Sequence, residues 1–202
     1  MISCIILAGG KSERMGKDKR SLELEGKPFL ERVLETAHNF SDEVIISLGS
    51  DDQIAGMKLE ADKVAVDEVP DSGPLGGLMT ALKLCEHKYT AVAPCDSPLL
   101  KAEVFMFMAD RASGYDAVVP KNGELIEPLH AIYKVATMLS ACQEAFSEGY
   151  LGVTNALGRL DRVRYVNVEE FKDIDQELLT FFNVNYPRDL TKINELMRHE
   201  KR

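Results

Sequence analysis

Ile2-Ser3-Cys4-Ile5-Ile6-Leu7-Ala8-Gly9-Gly10-Lys11-Ser12-Glu13-Arg14-Met15-Gly16-Lys17-Asp18-Lys19 is the stretch on which the fold turns. Residues 2–8 form a short apolar run stopped by two glycines, the pattern of a buried strand running into a turn. Within residues 11–20, Lys11, Arg14, Lys17, Lys19 and Arg20 face only Glu13 and Asp18, a local balance of +3 in a chain of net charge −9. A glycine pair lets backbone N–H groups approach an anion closely, and the cations that follow reinforce such a nest. Read on residue types alone, the same segment is equally a solvated turn with scattered lysines. Two phosphate motifs do not fit. A Walker loop would need Gly where Ile5 stands, and a dinucleotide fingerprint would need a residue between Gly9 and Gly10.

Outward from this segment, strands and helices alternate. A helix is expected over 28–39, where Pro28 suits a first position and Phe29, Leu30, Val33, Leu34 and Ala37 share a face. Strands are expected at 43–48 and 63–67, then a helix from Pro74 and a strand at 90–93. A helix at 101–111, strands at 116–120 and 129–133, a helix at 134–147, a strand at 163–168 and a helix from 187 complete the map. Alternation of this kind implies parallel strands joined by helical crossovers. The expected fold class is α/β, a single-domain, Rossmann-like three-layer α/β/α arrangement on a mostly parallel twisted sheet. One domain is expected over 1–202, with 121–160 a partly separate, substrate-facing subregion.

Composition narrows the rest. The 202 residues are 45% hydrophobic and 28% charged, enough apolar mass for a packed core and too much for a disordered chain. Net acidity disfavours nucleic-acid binding, and no apolar run reaches the roughly 18 residues of a membrane span. The opening residues carry no basic leader, so they are expected to be a strand and not a signal peptide. Cys4, Cys85, Cys95 and Cys142 lack C-x-x-C spacing, which argues against zinc and dithiol chemistry and for small core residues in a reducing cytoplasm.

The segment L-A-G-G-K-S-x-R-M-G-x-D-K at 7–19 resembles the signature of nucleotidyltransferases, and within that superfamily the molybdenum cofactor guanylyltransferases. Gly26-Lys27-Pro28, Gly73-Pro74-Leu75-Gly76-Gly77, Pro94-Cys95-Asp96-Ser97-Pro98 and Phe182-Asn183-Val184-Asn185-Tyr186-Pro187 follow in the family's order, so the resemblance spans nearly the whole chain. It implies transfer of GMP from GTP to the terminal phosphate of molybdopterin, with pyrophosphate released. Arg14, Lys19 and Asp96 are implied as the catalytic set, with Asp96 holding Mg²⁺. Leu7, Ala8 and Gly9, through their backbone, and Lys19, Asp67 and Asp96 are implied as nucleotide contacts. Glu127-Pro128-Leu129-His130 and Asn183-Val184-Asn185 fall where the family receives the pterin. Asn183 and Asn185, expected to alternate along a short strand, would then share a face. The second glycine pair, Gly76-Gly77, suggests a surface kept clear for base or ribose. Ser47 stands where relatives often carry Asn, and Tyr186 where they commonly carry Thr.

Without the resemblance, Asp96 equally caps a turn before Pro98, Asp67 equally ends a strand, and a lone His130 is more often a core or surface residue than a catalyst. No Ser-His-Asp or Cys-His arrangement is evident, and an anionic phosphate acceptor needs none. GTP and molybdopterin are the expected partners, with room for transient contact with other cofactor-biosynthesis proteins or apo-molybdoenzymes. Two alternatives stand beside this reading: a nucleotidyltransferase for another phosphorylated acceptor (adenosylcobinamide phosphate or a sugar 1-phosphate), and a non-catalytic GTP-binding delivery module. Like charges within 11–20 predict a loop that stays disordered until an anion arrives.

Overall fold

Alternation at a period of two splits each central strand between two apolar layers. Cys4 and Ile6 of the first strand, with Ala8 just past its end, join Val44, Ile46, Leu48, Ala91 and Ala93 on one face. Ile5 joins Ile45, Ala65 and Val92 on the other. Buried on both sides, such strands read as unbroken apolar runs. The computed structural model describes residues 1–9, 22–50 and 60–200, with side chains through 196; the expected disorder at 11–20 lies outside the described residues.

The strands are β1 (Ser3–Leu7), β2 (Glu23–Leu24), β3 (Lys27–Pro28), β4 (Glu43–Leu48), β5 (Lys63–Val66), β6 (Tyr89–Pro94), β7 (Ala117–Asn122), β8 (Leu125–Ile126), β9 (Ala131–Lys134) and β10 (Val163–Asn167). The helices are α1 (Phe29–His38), α2 (Gly73–Leu82), α3 (Ala102–Ala109), α4 (Val135–Ser147), α5 (Val153–Leu157) and α6 (Pro187–Glu200). The main sheet runs β10-β7-β9-β6-β1-β4-β5, with β8 on β7. Leu30 and Val33 of α1 and Val104, Phe105 and Met108 of α3 cover one face. The other face is covered by Leu75 and Leu78 of α2, Met138 and Cys142 of α4, and Val153 of α5. The fold is therefore mixed α/β on a mostly parallel sheet flanked by helices.

β9 departs from the parallel pattern, pairing antiparallel with both β6 and β7. Only residues 123–130 separate β7 from β9, too few for the crossover that a parallel return demands. The small β2–β3 hairpin was not expected either. It turns on Glu25 and Gly26, both at positive φ (52° and 77°), the two-residue geometry that fits the twist of paired strands. Cys4, Cys95 and Cys142 are buried and all four cysteines are free, as expected of small core residues. Burial pushes the thiols of Cys85 and Cys142 up to about 11 and about 12, which leaves neither a nucleophile at neutral pH. Among the described residues, no helix is long and apolar enough to cross a membrane.

Candidate functional site

The order β5-β4-β1-β6 means that the chain leaves β1 in one direction through α1 to β4, and returns through α2 to β6 on β1's other side. Such a reversal opens a crevice beyond the carboxyl ends of the strands. A cleft of about 790 Å³ lies there. Leu7 and Pro94 end β1 and β6, Ser47 is the last residue but one of β4, Asp67 immediately follows β5, and all four line it.

Glycine forms the floor for a steric reason. A Cβ on Gly9 would stand 2.8 Å from the Gly49 nitrogen, and one on Gly49 would stand 2.7 Å from the Gly9 carbonyl oxygen. Real Cβ atoms do not approach backbone so closely, so two strand-end loops touch only because both residues lack side chains. Gly9 accordingly lines the cleft. Ala8 does not: its methyl lies in the core, and its N–H donates to the Ser47 carbonyl at 2.8 Å.

The second glycine pair divides its work. A Cβ on Gly76 would meet the Ser72 side chain, so that residue serves the local turn and not the cleft. Gly77 does line the cleft, and a Cβ there would come within 2.7 Å of Ser47 Oγ and 3.1 Å of Asp67 Oδ1. Helix α2 thus packs directly on the ends of β4 and β5. Asp67 is half-buried; its Oδ2 accepts from Ser72 Oγ at 3.2 Å, while its Oδ1 is buried without a hydrogen-bond partner. Burial raises its carboxyl above the usual aspartate value, and the Ser72 bond offsets only part of that. A carboxylate kept short of partners at a cleft wall is a group waiting for a donor.

Asp96 projects from the turn after β6, half-buried in the cleft. Its backbone carbonyl accepts the Val184 N–H at 2.8 Å, which clamps the 183–185 segment beside it. No strand forms there, yet the expected alternation holds. Val184 is fully buried against Leu22, Leu24, Phe29 and Ile193, and Asn183 and Asn185 both face the cleft. Capping of α6 falls to Asp189, whose Oδ2 accepts from the Asn185 and Tyr186 N–H groups at 2.9 and 2.8 Å.

Of the expected site residues, Leu7, Gly9, Asp67, Asp96, Asn183 and Asn185 line this one cleft, together with Leu129. Arg14 and Lys19 lie outside the described residues. The donor set suits a hard cation: Asp67, Asp71 and Asp96 supply carboxylate oxygens. Among the described residues, no three His, Cys, Asp or Glu side chains gather closely enough to hold a metal by themselves. What fits is an ion taking one or two protein carboxylates and drawing its other ligands from phosphate and water.

One arrangement has no counterpart in the linear reading. His130 Nε2 lies 3.0 Å from Ser97 Oγ, and His130 Nδ1 lies 3.7 Å from Glu127 Oε2. The geometry is that of a hydrolase triad, but Ser97 is fully buried and its hydroxyl donates to Asn183 Oδ1 at 2.5 Å. A hydroxyl so enclosed cannot reach a substrate carbonyl. Gly49, the glycine facing Gly9, was also not singled out, although it directly follows β4 much as Gly9 follows β1.

Comparison with known proteins agrees with this geometry. The family model described as a MobA-like NTP transferase domain matches residues 4–163. The chain is 35% identical over 196 residues to a protein of Natronomonas pharaonis named "probable molybdenum cofactor guanylyltransferase", covering 95% of this chain and 96% of that one. A protein of Methanosarcina mazei with the same name is 36% identical over 197 residues, covering 93% and 88%. The crystal structure of molybdopterin-guanine dinucleotide biosynthesis protein A from Archaeoglobus fulgidus superposes with a TM-score of 0.85 at 29% identity, covering 98% of this chain and all of that one. A cleft at the switch point, a glycine-cleared floor and near full-length likeness together make this chain a nucleotidyltransferase that belongs to the MobA-like NTP transferase family.

Proposed function

We propose that the chain transfers GMP from GTP to the terminal phosphate of molybdopterin. The observation that carries this reading is one cleft that gathers the residues expected at the nucleotide and those expected at the acceptor. Leu7, Gly9, Asp67 and Asp96 line it together with Leu129, Asn183 and Asn185, and the Asp96 carbonyl accepts the Val184 N–H at 2.8 Å. A phosphate acceptor must meet the nucleotide at bonding distance, which one shared cleft allows. An oxygen of the acceptor phosphate forms a bond to the α-phosphorus, and the bond from that phosphorus to the bridging oxygen breaks. The electron pair leaves with pyrophosphate. Because the attacking phosphate is already an anion, the protein need only position the reactants and offset charge.

Nucleotidyltransferases of this kind generally use a divalent metal, and here Asp96 would hold Mg²⁺, with phosphate and water supplying its other ligands. When bound, that ion supplies neutralisation of the phosphate charges. Lys19 and Arg14 would add positive charge to the triphosphate. Asp67 can accept two hydrogen bonds from the N1–H and exocyclic amine of guanine; its unpartnered Oδ1 supports that role. Residues 121–160 contribute Leu129 to the cleft, which supports reading them as substrate-facing within one domain. A soluble cytoplasmic enzyme is the setting that fits these substrates.

Incubation with labelled GTP, CTP or ATP and each phosphorylated acceptor tests the proposal. Pyrophosphate release with GTP and molybdopterin is expected. Preference for CTP, or for a sugar 1-phosphate or adenosylcobinamide phosphate as acceptor, would overturn it. GTP binding with no turnover on any acceptor would favour a delivery module.

A further inference from the structure

Ser97 has one proton to donate, and it is used on Asn183 Oδ1 at 2.5 Å. Its oxygen can therefore only accept from His130 Nε2, 3.0 Å away, so Nε2 carries a hydrogen. Nδ1 is buried without a hydrogen-bond partner, 3.7 Å from Glu127 Oε2, and sets no constraint on Nε2. Ser97 and His130 are both fully buried. The ring is held edge-on to Phe181, centroids 5.6 Å apart, and the His130 N–H donates to the Glu127 carbonyl at 3.1 Å. Nothing in this line can turn freely, and its last member is a cleft residue.

We propose that His130 is a positioning residue: through Ser97 it pins the carbonyl oxygen of Asn183 inward and leaves the amide nitrogen, a donor, for the cleft. This inference rests on the nucleotidyl-transfer reading and deepens it at the acceptor end. The group that Asn183 takes from the second substrate is then a hydrogen-bond acceptor, a phosphate oxygen or a heterocycle carbonyl or ring nitrogen, and never an N–H. The hydrogen direction along His130, Ser97 and Asn183 decides the polarity of the pocket wall. With every hydrogen reversed, the same atoms would present a carbonyl.

Nitrogen-15 NMR of the free protein reads the relay with no substrate present. Protonated Nε2 on His130, shifted in Ser97→Ala, is the expected result; unprotonated Nε2 would overturn the proposal. Steady-state kinetics then reads its consequence. His130→Phe keeps an aromatic ring but removes the donor, and the KM for the acceptor should rise about tenfold, the scale of one lost buried hydrogen bond, while the KM for GTP stays within about twofold. His130→Gln places an amide donor near the lost Nε2 and should restore most of the affinity. Asn183→Asp keeps the oxygen for Ser97 and removes the cleft donor, so it should fail like His130→Phe. Equal rises in both KM values, or no recovery in His130→Gln, would reduce His130 to a packing role and overturn the proposal. Ser97→Ala carries the same kinetic test should His130→Phe not fold. Wild-type protein that transfers nothing to molybdopterin sinks the functional reading instead, and the NMR result stands apart from it.

Discussion

The two ends of the central sheet treat charge in opposite ways. At the amino end, Ser3, Glu43 and Lys63 each begin a strand and close on one another. Buried Glu43 accepts from Ser3 Oγ at 2.5 Å, from Lys63 Nζ at 2.6 Å and from the Glu86 N–H at 3.1 Å. Lys63 also reaches Glu86 at 2.6 Å. At the carboxyl end, Asp67 keeps an oxygen without a partner, three glycines hold space open, and Asn183 is pinned by one atom only. One end consumes its hydrogen-bonding capacity within the protein, which serves stability. The other leaves capacity unspent within a cleft, which serves a ligand. The same topology makes both, because strand starts and strand ends see different loops.

Asp96 offers the largest effect with which to break the contrast. Asp96→Ala should lower kcat by at least about a thousandfold, roughly 4 kcal/mol of barrier, with thermal stability little changed. A stability loss of the same size would mean that the carboxyl end is as structural as the amino end. Gly49→Ala comes next, because its Cβ would press on the Gly9 carbonyl oxygen at 2.7 Å. Backbone cannot swing aside as a side chain does, so a destabilisation of about 2–3 kcal/mol is expected from denaturant unfolding, along with weaker GTP binding by calorimetry. Unchanged GTP affinity in a destabilised Gly49→Ala would separate floor from site.

The strands that build both ends were legible because each is a short apolar run with punctuation. Leu7, Asp67 and Asp96 each sit at or just past the end of such a run, and a parallel sheet collects those positions automatically. Ala8 lies near the site by the same logic, with its methyl turned into the core by pleat alternation. The relay behind Asn183 had no linear trace. Ser97 lies 33 residues from His130 and 86 from Asn183, and the antiparallel return of β9 is what brings His130 to β6. A short connection between β7 and β9 hinted at that return, but only strand pairing reveals which residues meet. The roles of Gly76 and Gly77 also looked alike in sequence, and only the neighbouring Ser72, Ser47 and Asp67 side chains tell them apart.

The smallest effect tests the comparison by its sign. Burial works to raise the Glu43 carboxyl, but the bonds from Lys63, Ser3 and the Glu86 N–H outweigh it, so the group sits below the usual glutamate value. Its folded form therefore favours the carboxylate. The stabilisation is complete above the unfolded value of about 4.3 and is lost as pH falls through the lower folded value. Glu43→Gln should cost about 1.5–3 kcal/mol at pH 7, the range of a charge-assisted bond, and the gap from wild type should shrink on acidification through that window. GTP and acceptor KM values should not move, since Glu43 lies at the far end of the sheet. Asp67 runs the other way. Its raised carboxyl favours the protonated form in the fold, so its contribution is best below the ordinary aspartate range and weakens as pH climbs to the folded value. Carbon-13 titration of both carboxyls in one sample reads the two directions together. Inflections displaced in the same direction would mean that the ends of the sheet handle charge alike, and the division between a stabilising rim and a binding rim would be lost.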